Sequence, residues 1–445
     1  MSEPSPVEAA DTGSMARRAA ATMGVHFAVV VVLGVSSVLL ARGLNPAGRG
    51  TYGLVIGVSW IAAAVGHLSV EQANVLRWQR GDDRRAIAST SFLLGLAGGA
   101  GAALVAWLAI AYLGAGSFSA DDRRLVAIVL PSVPLTILAG YLVGLHVLAD
   151  RLRRVNVIRL VTATSQLAGL GALWATGRLN VTAAAALWVA ALAAAPVLLL
   201  APGLSLRPRF VSRRVASSLM RTGLKYHPGM AALFLLRRVD LLILNAYVGR
   251  RELGLYAVAV LLAELLLLPG KSIAQVVLPR QVAGSLEEAA AYTARVVRVN
   301  TLVGLAGALA LAAASPVLIR LAYGSEFVGS IPAFLALLPG VVAVALTRPI
   351  TAILVRLDRP WVVSTICIAA FVLNVGLNLA LIPLLGIVGA SLASSLAYGA
   401  QAVAYTVWLL RRTPIRLSEL RPTRQDLALF PALARRSAIG TTAAP

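Results

Sequence analysis

The sequence predicts an all-α integral membrane protein of about twelve transmembrane helices, arranged as two pseudo-symmetric six-helix lobes around a central cavity. Three observations carry this. The 445-residue chain is 59% hydrophobic and only 13% charged, with mean hydropathy +0.83, too little polar surface for a water-soluble fold. Apolar runs of some twenty residues recur from end to end, each long enough to cross about 30 Å of hydrocarbon at about 1.5 Å per residue. Rarer residues repeat between the two halves at a nearly constant offset.

The runs span residues 23–41, 52–73, 86–113, 125–149, 155–175, 181–201, 228–248, 253–278, 297–318, 331–355, 361–384 and 387–410. Residues 1–22, with Pro4, Pro6 and the acids Glu3, Glu8 and Asp11, read as a disordered cytoplasmic leader. It is not a cleaved signal, because Arg17 and Arg18 precede an apolar run longer than a typical signal core. The N-lobe then occupies 23–201, a basic cytoplasmic linker 202–227, the C-lobe 228–410 and a basic cytoplasmic tail 411–445. Pro131, Pro134, Pro269, Pro339 and Pro349 lie inside spans and predict kinks. Gly95, Gly98, Gly99 and Gly101 give the third span a small face for close helix packing.

A net charge of +22 would suggest a nucleic-acid partner in a soluble protein. Here the charges lie mostly between apolar runs. With the N-terminus in the cytoplasm, about 27 Lys and Arg fall on inside segments and about 8 on outside ones, as the positive-inside rule requires. The scarcity of Lys beside abundant Arg and Ala suggests a GC-rich bacterial genome. The reading is therefore a multi-pass protein of a bacterial cytoplasmic membrane, both termini cytoplasmic, with membrane lipids and no nucleic acid as partners. Its basic linker and tail would lie against anionic headgroups. Cys367 is the single cysteine and sits in the eleventh run, so neither a disulfide framework nor a thiol–metal cluster is expected. The four His are scattered, and no Gly-rich loop meets a Lys-Ser/Thr pair. No catalytic residue, metal, nucleotide site or cofactor is expected, and the chain does not read as an enzyme.

Gly50-Thr-Tyr52 recurs as Gly254-Leu-Tyr256 at an offset of 204, which also places His67 on Lys271. Asp150-Arg151 recurs as Asp358-Arg359, and Gln166 falls on Asn374, at an offset of 208. Six spans is an even number, so the halves enter from the same side as parallel repeats, with a cargo site between them near the midplane.

The run from Leu39 through Arg42, Pro46, Gly48, Arg49 and Gly50 to Tyr52 resembles the first-loop signature of bacterial polysaccharide flippases, the O-antigen (Wzx-type) transporters of the multidrug/oligosaccharidyl-lipid/polysaccharide (MOP) superfamily. Arg237-Arg238-Val-Asp240 followed by Gly254-Leu-Tyr256 is similar to their second-half counterpart. Tyr323-Gly324-Ser-Glu326-Phe327 and the stretch from Asn374 and Asn378 to Pro383, Gly386 and Gly389 are similar to their late segments. The resemblance covers residues 23–410. It implies two lobes that move a polyprenyl-diphosphate-linked oligosaccharide from the cytoplasmic to the outer leaflet for polysaccharide synthesis. The related lipid II flippases usually carry two further helices for the lipid tail, which this chain lacks. Partners implied are the lipid-linked glycan itself and neighbouring glycan polymerases or glycosyltransferases.

Arg237, Arg238 and Asp240 fall in the middle of the seventh run. An ionisable group at that depth costs about 2.5–3.5 kcal/mol and marks a substrate or ion path. Arginine cannot shed its proton to escape the cost, so a permanent positive site points to an anionic cargo. Arg237 and Asp240, three apart, share a helix face, with Arg238 about 100° round. On the functional reading Arg238, helped by Arg237, binds the diphosphate while Asp240 holds Arg237; on the structural one Arg237–Asp240 is a neutral pair and Arg238 pairs with another helix.

Glu264 and Lys271 lie seven apart on one face of the eighth run, and Glu71 follows His67 by one turn. Glu264 and Glu71 could take a proton or sodium ion as the coupling step, with Lys271 and His67 lining the inner path, or these groups could form salt bridges that close one gate. Arg348 is a further cavity candidate. Arg42 and Arg49 fall at the outer mouth, where structural or headgroup contacts are favoured over cargo. Asn374 and Asn378, at i,i+4, read as helix glue. The leading function is therefore an alternating-access flippase. A cation-coupled multidrug antiporter of the same superfamily is the rival, and a non-transporting membrane scaffold for glycan synthesis the third reading.

Overall fold

The computed structural model describes residues 6–112, 114, 116–200, 206–267, 285–356, 360–423 and 426. Among these the regular structure is helical. Helices α1 (Pro6–Gly66), α2 (Val70–Gln79), α3 (Arg84–Tyr112), α4 (Ala120–Val129), α5 (Ser132–Leu148), α6 (Leu152–Ala175) and α7 (Val181–Leu200) build the first half. The second half holds α8 (Arg213–Leu235), α9 (Val239–Tyr247), α10 (Arg250–Glu264), α11 (Leu286–Ala322), α12 (Ile331–Arg356) and α13 (Pro360–Arg412).

Eight helices among the described residues are long and apolar enough to cross a membrane. Two of them, α1 and α13, each hold two of the predicted runs. α1 folds back at Asn45 (φ 56°), where Pro46 opens the second arm and Asn45 Oδ1 accepts the Gly48 amide at 3.0 Å. α13 turns at Gly386, whose φ of 56° suits a residue without a side chain. The fourth run is divided between α4 and α5 just before Pro131. The seventh is split between α8 and α9, and the eighth leaves the described residues after 267.

Three expectations change. α1 is helical from Pro6, where a leader without structure was predicted, and α8 begins at Arg213, inside the predicted linker. The second run stops at Gly66 rather than continuing to 73, because Leu68 and Ser69 both take left-handed backbone (φ 50° each) before α2 starts.

Two cores underlie the two lobes. One draws its buried side chains from residues 40–219, the other from residues 236–398 with Ala41. Large apolar side chains on the outer helix faces are left uncovered, among them Phe27, Val105, Leu309, Val372 and Val403. Such a belt is tolerable only against lipid. On α3, Gly95 and Gly99 do face α5: a Cβ at Gly99 would come within 2.4 Å of Pro134 Cα.

The lobes meet where the repeated glycines lie. A Cβ at Gly50 would sit 1.9 Å from the Arg250 carbonyl oxygen, and one at Gly254 would sit 1.9 Å from the Pro46 carbonyl oxygen. Residues 46 and 50 and residues 250 and 254 are related by the offset of 204 found in the sequence, so the contact is reciprocal. The same end is tied by three further links between halves. Arg42 Nε donates to the Ala322 carbonyl at 2.8 Å and its Nη2 to the Leu321 carbonyl, capping the C-terminus of α11. Arg250 pairs with Asp122 and also donates to Asn245 Oδ1, while Asn245 Nδ2 donates to the Ser117 carbonyl at 2.9 Å.

Candidate functional site

The helix of the seventh run breaks at the residues singled out by charge. Leu236, Arg237 and Arg238 form a turn between α8 and α9, and Arg238 has φ −137°. The Arg237 and Arg238 amides reach only the carbonyls three residues back, Phe234 and Leu235. Irregular backbone inside a membrane is tolerated where it borders a cavity. The predicted i,i+3 pair of Arg237 with Asp240 is therefore absent, because no continuous helix holds them on one face.

Each charge finds a different environment. Arg238 Nη2 lies 3.1 Å from both carboxylate oxygens of Glu264, and its guanidinium stacks on Trp60 at 4.8 Å from the ring centroid. Asp240 is buried in the C-lobe and accepts from Tyr256 Oη, from the Leu241 amide at 2.8 Å and from Ser394 Oγ at 3.5 Å. That chain continues through Asn374, which donates to Ser394 at 3.3 Å, to Asn378, which donates to Asn374 at 2.9 Å. The two asparagines are buried glue, as their spacing suggested. Arg237 has no carboxylate within 4 Å among the described residues.

Arg237, Arg238, Asp240 and Glu264 line a chamber of about 230 Å³ between the lobes, together with Arg49, Gln166, Trp60 and Trp188. Three guanidinium groups (Arg49, Arg237, Arg238) against two carboxylates (Asp240, Glu264) leave one positive charge over. A second cavity of about 410 Å³ opens toward the Gly66 end of α1, lined by His67, Glu71, Ser69, Thr136 and His227. Trp60 and Arg238 belong to both linings, so their stacked pair is the partition.

His67 and Glu71 are 3.3 Å apart in this second cavity. The His67 ring meets Tyr141 edge-on at 5.0 Å, and Tyr141 Oη donates to the His67 carbonyl. Opposite them, on the C-lobe, His227 Nδ1 lies 3.5 Å from Ser69 Oγ, and Gly223 one turn earlier presses against the Leu68 carbonyl.

Of the other predicted residues, Lys271 lies outside the described residues. Arg348 does not line the chamber. It follows Val341 and Val344 along α12, a turn nearer the Gly66 end, with its Nε unpaired. At the Gly50 end Arg42 is a helix cap, a structural contact, and Arg49 also lines the chamber. Trp60, Gln166 and His227 were missed as site residues: a Trp in an apolar run carries no signal of its own, Gln166 stood out only as the repeat partner of Asn374, and His227 sits one residue outside the predicted seventh run.

This two-lobed arrangement is the fold of the MOP superfamily of membrane transporters. It superposes on a lipid II flippase MurJ in an inward closed conformation with a TM-score of 0.74, at 11% identity over 90% of this chain and 88% of that one. A multidrug resistance MATE family transporter in an inward-facing conformation gives 0.71, at 16% identity over 86% and 94%. A MOP superfamily transporter from Pyrococcus furiosus, described as having a binding pocket of reverse polarity, gives 0.66, at 15% identity over 89% and 94%. No curated protein matches the sequence. The chain belongs to the polysaccharide biosynthesis protein family, whose model matches residues 39–332.

Proposed function

We propose that the protein flips a polyprenyl-diphosphate-linked oligosaccharide from the cytoplasmic to the outer leaflet by alternating access, with its Gly50 end facing out. The observation that carries this is the chamber's surplus of guanidinium groups, with Arg237 free of any carboxylate among the described residues. Arg237 and Arg238 would grip the diphosphate through paired charge-assisted hydrogen bonds. Diphosphate arriving at Arg238 would compete with Glu264 and with the Trp60 ring, which links binding to opening of the partition. The sugar would occupy the wet space, and the prenyl tail would remain in lipid.

An inside-negative potential favours moving negative charge outward by about 2.3 kcal/mol per charge per 100 mV. We further propose that a proton or sodium ion is coupled through Glu264 and through His67 and Glu71 in the inner cavity. A cation-drug antiporter would need the chamber acids to hold cationic cargo, whereas there Arg238 already occupies Glu264, Asp240 accepts from three groups, and guanidinium groups outnumber carboxylates.

The test is Arg238→Gln in a strain whose surface polysaccharide depends on this gene. Surface glycan should disappear while the protein stays in the membrane at normal level. Undiminished glycan at that level would remove the cationic grip from the mechanism.

A further inference from the structure

Arg49 is 9% exposed, its Nε has no hydrogen-bond partner, and no carboxylate lies within 4 Å of it among the described residues. Its guanidinium carbon lies 5.6 Å from the ring centroid of Tyr52, and Tyr323 is a second tyrosine close enough to interact with it. A buried guanidinium stays charged, and leaving it uncompensated is costly enough that native proteins rarely do so without a purpose. Arg42 shows the structural alternative at the same end of the molecule: its donors are consumed by the carbonyls of α11. Arg49 has no such task.

Its position relative to the partition is informative. Arg49 and Trp60 lie eleven residues apart on the second arm of α1, which is about three turns, so both occupy one face about 16 Å apart. Gly53 and Ile56 fall between them on that face, and all four line the chamber. Arg238 stacks on Trp60 at one end of this track, and Arg49 stands at the other, beside the Gly50–Gly254 closure.

We infer that Arg49 is a second anion-binding station, to which the diphosphate passes after Arg237 and Arg238 and from which it leaves when the Gly50 end opens. This rests on the flippase reading above and adds a residue to it. Arg238 shares its donors with Glu264, whereas Arg49 has no acid to displace, so the group moves from a contested site to an uncontested one nearer the exit. Phosphate oxygens are the chemistry recognised, and they could come from the cargo or from a phospholipid headgroup.

The experiment titrates inorganic pyrophosphate into the purified full-length protein in phosphate-free detergent, with phosphatidylglycerol added in a second arm. The wild type should bind two equivalents. Arg238→Gln and Arg49→Gln should each remove a different one, weakening it at least tenfold, with melting temperature checked for each variant. Arg49→Lys keeps the charge for folding and should weaken its equivalent severalfold, since an ammonium replaces a planar fork. If both Arg49 variants bind as the wild type does while Arg238→Gln loses its equivalent, the second station is overturned and the flippase reading stands. Binding unaffected by any of the three overturns both. Displacement of the Arg49-dependent equivalent by phosphatidylglycerol makes Arg49 a headgroup contact and overturns the station too.

Discussion

Gly50 and Gly254 lie against each other across the pseudo-two-fold axis, each closing on a backbone carbonyl four residues before the other. The obstacle to a side chain at either position is main chain and cannot rotate away. Gly50→Ala or Gly254→Ala should therefore force this end apart, at a cost of at least about 1–3 kcal/mol. A lower melting temperature with loss of glycan export is expected from each. Normal melting and export in both would show that the lobes need no such closeness.

Arg238→Gln strands the partly buried Glu264 carboxylate as well as removing a cation. Breaking a buried pair costs about 3–5 kcal/mol; because Glu264 is 30% exposed, the loss should fall below that range. Arg238→Gln combined with Glu264→Gln should regain membrane protein level without regaining export. Recovery of export in the double variant would assign the pair a purely structural role.

Arg250 joins Asp122 of the N-lobe to Asn245 of the C-lobe. Arg250→Gln leaves Asp122 with only its Ser119 capping partners, so the Gly50 end should open more often. Starting from Cys367→Ser, which removes the native thiol, an engineered Ser37→Cys in the chamber reports this. Labelling from outside by a membrane-impermeant maleimide should rise severalfold when Arg250→Gln is added. An unchanged labelling rate would mean that the link does not govern closure.

The chain after α13 is fastened by Arg298, whose Nε donates to Asp426 at 2.9 Å and whose Nη1 donates to the Glu419 carbonyl at 2.6 Å. Burial raises the Asp426 carboxyl, but hydrogen bonds from Thr423 and Arg298 outweigh it and hold the group below the usual carboxylate range. A depressed folded-state value means the fastening is complete above the ordinary Asp range, near about 3.9, and fades as pH falls through the lower value. Limited proteolysis should leave residues 413–426 protected at neutral pH, and Asp426→Asn should expose them there. Equal protection in both would detach the tail from Arg298.

Most of the architecture was legible because hydropathy and length are properties of a span as a whole. The twelve runs, the 204-residue offset and the role of Asn374 and Asn378 as helix glue needed only composition and spacing. What escaped depends on three residues or fewer. No Gly or Pro marks the turn at Leu236–Arg238, so an averaged apolar run reads as one helix and pairs Arg237 with the wrong partner. The stop at Leu68–Ser69 is equally silent, since neither residue type announces left-handed backbone. Arg49 stands at the Gly50 end, where its distance to a loop put it, but that its side chain lines the chamber depends on the direction it takes from the helix, which spacing alone does not give.

The stacked Arg238 and Trp60 also bear on electrical insulation. A conduit through a bilayer must not leak protons or sodium while it waits for cargo. The Trp60 indole and the Arg238 guanidinium stacked on it stand between the two cavities and belong to the lining of both. With the far end shut by main-chain contact at Gly50 and Gly254, the proposed conduit is interrupted in two places at rest, by stacked side chains at one and by backbone at the other.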